Sequence, residues 1–361
     1  MKDRQKSLLM AASIIAGMLL SLLFIASCST ASYYHQAISG HLSLMHQRQD
    51  IDKLMADPQT NPGLATQLQL AQDILGYAER NLQLDAHGSY RQVVITGQPA
   101  VSWNVVAAAE FSVDPKTWCF PVAGCVPYRG YFKQHKAEEY AHTLQEQGFD
   151  VDVSPVTAYS TLGWFDDPLL DTMFQYSPAQ LAGVLIHELA HQKLYVAGDT
   201  AFNESFAEFV ESLGVEQWLQ QTERLQELQD WNLRRQAEPQ FNALLSGGRE
   251  SLRQLYASGL DTSAMREQKQ AALRAMKAEY QRMVSEEWQG RDYFGGWMAG
   301  ELNNARLALA NSYNGGACAF AALYQQAGGQ LDGFYELAEI KAKLSPEQRE
   351  AWLQAPCEPH Q

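Results

Sequence analysis

The sequence predicts an α+β protein that is mostly α, with a small β-sheet ahead of a long helical C-terminal part. Apolar residues recur at helical spacing over 32–84 and again from Ser177 onward. Between these stretches lie short runs rich in Val, Ile and aromatic residues, the signature of strands. Of the 361 residues, 46% are hydrophobic and 11% aromatic, enough to bury a core as one large domain or two smaller ones.

The chain begins with Lys2, Arg4 and Lys6, followed by an apolar run from Leu8 to Ala26, the charged-then-apolar pattern of an export signal. The run ends in "FIASCS", and Ile25-Ala26-Ser27-Cys28 resembles the lipobox of bacterial lipoproteins. That resemblance implies a signal peptide over 1–27, lipid attachment at Cys28, and a membrane-anchored protein facing the periplasm. Ser29 implies the outer membrane by the best-known sorting rule. A retained transmembrane anchor is the alternative, since the run is nearly long enough to span a bilayer.

Removing 1–27 takes away three basic residues and Asp3, moving the net charge from −14 to −16. Such an acidic chain repels nucleic acid, and no Lys/Arg run with interleaved aromatics offers phosphate contacts. In an oxidising periplasm the four remaining cysteines suggest disulfides: Cys119 with Cys125 across "FPVAG", and Cys318 with Cys357 as the complement. No second closely spaced Cys or His pair accompanies them, so a finger-type metal site is not expected.

In order, 28–88 reads as a helical hairpin, with Leu68, Ala71, Leu75 and Ala78 on one stripe and "DPQTNPG" as the turn before it. A small α/β subdomain over 89–176 follows: strands in "YRQVVITG" and "VSWNVVAAAEFSV", a helix in "YFKQHKAEEYAHTLQEQG" stopped by Gly148, and an extended "FDVDVSPVTAYST". The part from 177 to 361 reads as helical. "SPAQLAGVLIHELAHQKLYV" opens with Ser177 as N-cap and Pro178 at the first helical position, and "NESFAEFVESLGVEQWLQQ" follows a short connection. Residues 220–290, charged with both signs interspersed, read as an exposed helical arm.

Chemistry concentrates in "VLIHELAHQKLY". Positions i and i+4 share a helix face, so His187 and His191 can reach one tetrahedral ion, while Glu188 sits beside it, where a carboxylate can take a proton from an attacking water. The apolar residues before the motif predict a buried helix, in which two imidazoles and a carboxylate are costly unless a cation pairs with them. Two imidazoles and one carboxylate suit Zn2+, one per chain. A catalytic zinc site wants three protein ligands and an open position, and the neighbouring helix offers Glu204 and Glu208.

The stretch "FNESFAEF" resembles the NExxA element of gluzincin metallopeptidases, which aligns Asn203-Glu204 with Ala207 and implies Glu204 as the third ligand. Glu208 is then expected to hydrogen-bond one of the histidines, with the swapped assignment as the alternative. Together with the lipobox, "CVPYRGYF", "YSTLGWFDDP", "HELAHQ" and "NESFAEF", the chain is similar to the family of predicted zinc-dependent aminopeptidases found as lipoproteins in Gram-negative bacteria. The resemblance implies a zincin-like core and a peptide substrate attacked at its N-terminus. Only twelve residues separate His191 from Glu204, fewer than in thermolysin-like enzymes, so the connection must be tight.

Further expectations attach to this reading. Tyr313 in "LANSYNGG" is the first choice for stabilising the oxyanion, with Tyr128 or Tyr131 behind it. Asp166 or Asp167, in the segment expected to form the substrate-binding edge strand, is placed to hold a peptide ammonium, unless the two cap a turn ahead of Pro168. Arg129 and Arg306 are candidates for a substrate carboxylate. The competing functions are an endopeptidase or cell-wall peptide hydrolase with the same metal site, and a non-catalytic envelope scaffold holding a structural zinc.

Overall fold

The computed structural model describes residues 32–120, 124–158, 166–309 and 316–354. Cys28, Tyr313 and Cys357 therefore lie outside the described residues, as does most of the expected edge strand. The described chain is a mostly helical α+β fold with small sheets. No described helix is long and apolar enough to cross a membrane.

A first helix, α1, covers 32–46, followed by β1 (Gln49–Asp50), α2 (Ile51–Ala56) and α3 (Pro62–Leu82). Asn61 caps α3 by accepting from the amides of Gly63 and Leu64, and Pro62 supplies a preset first turn. The stripe Leu68, Ala71, Leu75 and Ala78 is buried as its spacing predicts. A three-stranded sheet then joins β1 to β2 (Gln92–Val94) and β2, in parallel, to β8 (Leu169–Leu170).

The larger sheet is antiparallel. Its centre is β3 (Ser102–Ala109), paired with β6 (Arg129–Tyr131) on one side and with β7 (Phe149–Val156) on the other, in a register running from Ser102 opposite Val156 to Ala109 opposite Phe149. Trp103, Val105 and Ala107 face α4 (Gln134–Glu146), whereas Val106 and Ala108 meet Ala305 of a short helix described below. Burial on both faces explains the apolar run from Val105 to Ala108 of β3, each such Val contributing about 1.5–3 kcal/mol. Beside it, β4 (Trp118–Phe120) and β5 (Gly124–Val126) form a hairpin bridged by the Cys119–Cys125 disulfide. Cys318 is also disulfide-bonded.

Residues 166–168 form a loop rather than an edge strand, and a 3-10 turn (Asp171–Gln175) leads into α5 (Pro178–Lys193). Ser177 and Gln180 exchange the two hydrogen bonds of a capping box, which fixes where α5 starts. After a short connection, α6 (Thr200–Gln221) runs back antiparallel along α5. The two helices share the principal core with α3 and with α11 (Ala317–Gln326), α12 (Leu331–Ala342) and α13 (Pro346–Leu353).

The arm consists of α7 (Leu225–Tyr256) and α8 (Thr262–Arg282), continued by a π-helical turn (Met283–Glu287) and two short helices, α9 (Gly295–Met298) and α10 (Asn304–Ala308). It carries a core of its own built on Phe241, Leu252, Leu273, Tyr280 and Phe294. It is also tied to the sheet, because the buried ammonium of Lys269 on α8 meets Asp150 of β7 at 2.6 Å and the Glu110 carbonyl at 2.9 Å. The residues from Asp292 onward that close this core carry their aromatics in short, irregular segments, where helical spacing gives no warning of them.

Candidate metal centre

The buried residues Leu181, Leu185, Ile186 and Leu189 pin one face of α5 to the core and leave His187 and His191 turned toward α6. Across the gap, Glu204 approaches both imidazoles: its carboxylate lies 3.3 Å from His187 Nε2 and 3.7 Å from His191 Nε2. The two Nε2 atoms are 3.1 Å apart. Among the described residues these three alone gather ligand atoms from three His, Cys, Asp or Glu side chains into a metal-sized cluster, all within 4.8 Å. A tetrahedral zinc with ligands at about 2.0–2.1 Å would hold any two of them roughly 3.3 Å apart. The two Nε2 atoms are close to that spacing, and each imidazole has its own nearer Glu204 oxygen, Oε2 for His187 and Oε1 for His191.

Electrostatics point the same way. Burial works against a charged His187, but hydrogen bonds with Glu204 and Glu211 outweigh it and push its pKa up to about 10. Burial together with the neighbouring His187 charge drives His191 down to about 4. Burial opposes ionisation of Glu204 as well, yet His187 and His191 hold its carboxyl below the ordinary range. One proton thus does for these groups what a divalent cation could do better, since a single charge must serve two lone pairs and a carboxylate.

The carboxylate that orients a histidine is not Glu208. His187 Nδ1 lies 3.0 Å from Glu211 Oε2, whereas Glu208 pairs with Arg235 of α7 at 3.5 Å. Periodicity gives the reason, because Glu211 is rotated from Glu204 by only about 20° and Glu208 by about 40° to the other side, toward α7. Running antiparallel to α5, α6 carries Glu211 back past His187 to Gly183, where a Cβ would stand 2.9 Å from the Glu211 carboxylate. Burial lifts Glu208 above the usual carboxylate range, with Arg235 countering it. The His187 Nδ1 hydrogen then points to Glu211, so Nε2, once it gives up the proton it shares with Glu204, is the nitrogen that can ligate a metal. His191 Nδ1 is buried with no hydrogen-bond partner among the described residues.

The connection between the helices is as tight as the twelve-residue spacing requires. Asn203, 2% exposed, uses its side-chain amide as a strand would, accepting from Val196 N at 2.8 Å and donating to Val196 O at 2.9 Å. Asp199 caps α6 at Phe202 N and pairs with Arg349 of α13 at 2.6 Å. Just before this link, Tyr195 is 47% exposed with its ring edge-on to His191 at 6.3 Å. It forms part of the rim of the site. It sits four residues after His191, a spacing that could have flagged it.

Glu188 is partly buried on α5 next to His187. Burial raises the Tyr90 phenol well above its usual range, and the charges of Glu188 and Asp167 add to the effect. Tyr90 belongs to the loop 86–91, held at φ 63 with Gly88 at φ 107. That loop is zipped to 166–167: Tyr90 N donates to Asp167 O at 2.6 Å, and Asp167 N to Ser89 Oγ at 3.2 Å. Asp167, 1% exposed, is consequently turned into the protein rather than toward a substrate. Asp166 stays exposed beside Gly88.

Four other candidates lie elsewhere. Tyr131 is buried in an aromatic group with Tyr33 and Tyr140, and the Arg129 guanidinium stacks over Tyr33 at 4.0 Å and Tyr140 at 4.5 Å. Arg306 pairs with Asp152 at 2.9 Å. Tyr128 is exposed in the link before β6. Each arginine is engaged by a local partner that short-range sequence patterns do not reveal.

No curated protein and no solved structure matches the chain. Residues 32–353, almost the whole described span from α1 to α13, match a family described as "Putative aminopeptidase". The chain belongs to that aminopeptidase-like family, which suggests a peptidase hydrolase acting on peptides.

Proposed function

We propose that the protein is a zinc-dependent aminopeptidase of gluzincin type, with a zincin-like core, held to the bacterial envelope by a lipid on Cys28. The observation that carries this reading is the convergence of His187 Nε2, His191 Nε2 and the Glu204 carboxylate at 3.1, 3.3 and 3.7 Å on adjacent antiparallel helices. Zinc, when bound there, supplies a Lewis acid that acidifies water and polarises a carbonyl. His187, His191 and Glu204 would hold it, and Glu211 would keep the His187 ring in the tautomer that binding needs.

Glu188 then has one task, to take the proton of the attacking water and return it to the leaving amine. Its place on the helix, one residue after a ligand, keeps it beside the site and off the metal. The exposed Asp166 is the carboxylate assigned to a free peptide ammonium, and Asp167, being buried, supports the loop instead. The family match supports the word aminopeptidase; the export signal and "IASC" support the anchor.

The test uses soluble protein starting after Cys28, alongside its Glu188→Gln variant, with metal analysis and a panel of free and N-acetylated peptides. We expect about one zinc per chain in both proteins, and cleavage of free-amine peptides that falls by roughly 10²–10⁴-fold in the variant. Equal cleavage of acetylated peptides would instead mark an endopeptidase. Zinc without any hydrolysis would favour the scaffold.

A further inference from the structure

The N-terminal helix α1 has two unlike sides. One is fastened to the sheet: the Gln36 side chain donates to Gly130 O at 3.1 Å and accepts from Phe132 N at 3.3 Å, closing the edge of β6 as another strand would. Along the same side Tyr33 stacks on Phe120 at 5.4 Å, Gly40 lies against the Phe132 ring and Leu44 is buried. The opposite side carries His35, Ile38, Leu42 and His46, all exposed and at helical spacing, with Ile38 at 58% and Leu42 at 57%.

The surroundings of this stripe are unlike the rest of an acidic chain. Of the 41 Asp and Glu residues, none falls within 28–49 or within 115–137, the two segments that α1 and its seat on β4–β6 bring together. Those segments contribute Arg48, Lys116, Arg129, Lys133 and Lys136 instead. Arg129 is stacked on Tyr33 and Tyr140 and Lys136 is paired with Glu139 at 2.7 Å, so what the outer side of α1 offers is two exposed aliphatic side chains on a helix that itself holds no carboxylate, a surface that suits a lipid boundary.

Resting on the lipid-anchor reading above, we infer that the outer side of α1 lies on the bilayer, with Ile38 and Leu42 against the headgroup and acyl boundary. Only three residues separate Cys28 from Ser32 at the start of α1, a reach of at most about 14 Å over the four extended steps. A lipid on Cys28 therefore brings the N-terminal end of α1, and with it the exposed stripe, close to the membrane. A lipid anchor by itself leaves the domain free to turn about its tether, so a second contact beside the anchor fixes orientation.

The experiment uses the full chain with its own lipid, reconstituted in phosphatidylethanolamine and phosphatidylglycerol vesicles. An environment-sensitive fluorophore is placed at Leu42→Cys, or for comparison at Ile340→Cys, which is 56% exposed on α12. The expected result is blue-shifted emission and loss of intensity to nitroxide-bearing lipids at position 42, with neither at 340. Adding Ile38→Glu to the Leu42→Cys protein should return the emission toward that in water while the protein still floats with the vesicles. Protein that floats but gives the same unquenched emission at both positions would overturn the surface and leave the anchor standing. Protein that does not float would remove the anchor and this inference with it.

Discussion

The helix pairs α5–α6 and α7–α8 are built from similar residues and put them to opposite uses. Around Arg282, at the end of α8, Glu279 lies at 2.6 Å, Glu287 at 2.7 Å and Glu286 at 3.2 Å, with the guanidinium 42% exposed. On α6, Glu204 and Glu211 approach His187 at 3.3 and 3.0 Å, and His191 behind them is only 6% exposed. The distances are comparable. What differs is water: exposed pairs are screened and contribute little, whereas buried ones perturb each other enough to bind a cation or tune a proton. Helical spacing of charge therefore becomes chemistry only where packing removes solvent.

The comparison would be broken most visibly by Glu211→Gln. An amide of nearly the same shape keeps a hydrogen-bond acceptor for His187 and loses the charge, so zinc affinity should fall by about 10–100-fold with the fold intact. A zinc titration with a competing chelator, beside a far-UV spectrum, measures both. Unchanged affinity would mean that Glu211 does no more than fill the space beside Gly183.

A pH experiment sharpens the same point. In the metal-free site His187 holds its proton up to about 10, and a ligand must be neutral. Zinc binding near pH 8 should therefore release about one proton, and affinity should rise with pH by about tenfold per unit until that pKa is passed. Calorimetry in two buffers of different ionisation enthalpy reads the proton directly. Glu211→Gln, which removes one of the two carboxylates that raise His187, should flatten the slope.

The smallest effect is expected at Arg282→Ala. Three carboxylates lose a partner there, yet all are solvated, so stability should change by no more than about 1 kcal/mol and peptide cleavage not at all. Chemical denaturation of the two proteins decides it. A loss of several kcal/mol would show that the arm's surface network is cooperative, and that solvent exposure alone does not separate the two helix pairs.

Much of this was legible in advance because it is local. Ser177 and Pro178 announce the start of α5, the i and i+4 spacing places His187 and His191 on one face, and the apolar run of β3 and the alternation of β7 mark those strands. Spacing offered Glu204 and Glu208 alike, and the family resemblance pointed to Glu204, the one that approaches both imidazoles. The assignment of Glu208 to a histidine did not hold, because both glutamates sit on plausible turns and only the docking of α7, with Arg235, decides which one turns away. Of the two aspartates offered for a peptide ammonium, with a turn ahead of Pro168 as the alternative, the fold buries Asp167 for a related reason. An Asp-Asp-Pro stretch looks exposed until a strained loop from eighty residues earlier closes over it.

By itself the sequence determined which residues form helices, where they are capped, and that two imidazoles and a glutamate share a turn, since these depend on contacts within a few residues. Tertiary structure alone decided that α6 runs back along α5, that Gly183 leaves room for Glu211, and that α1 turns Ile38 and Leu42 outward. Those outcomes depend on which faces meet across distances the chain's local period does not encode, and packing settles them through the size of one side chain at a time.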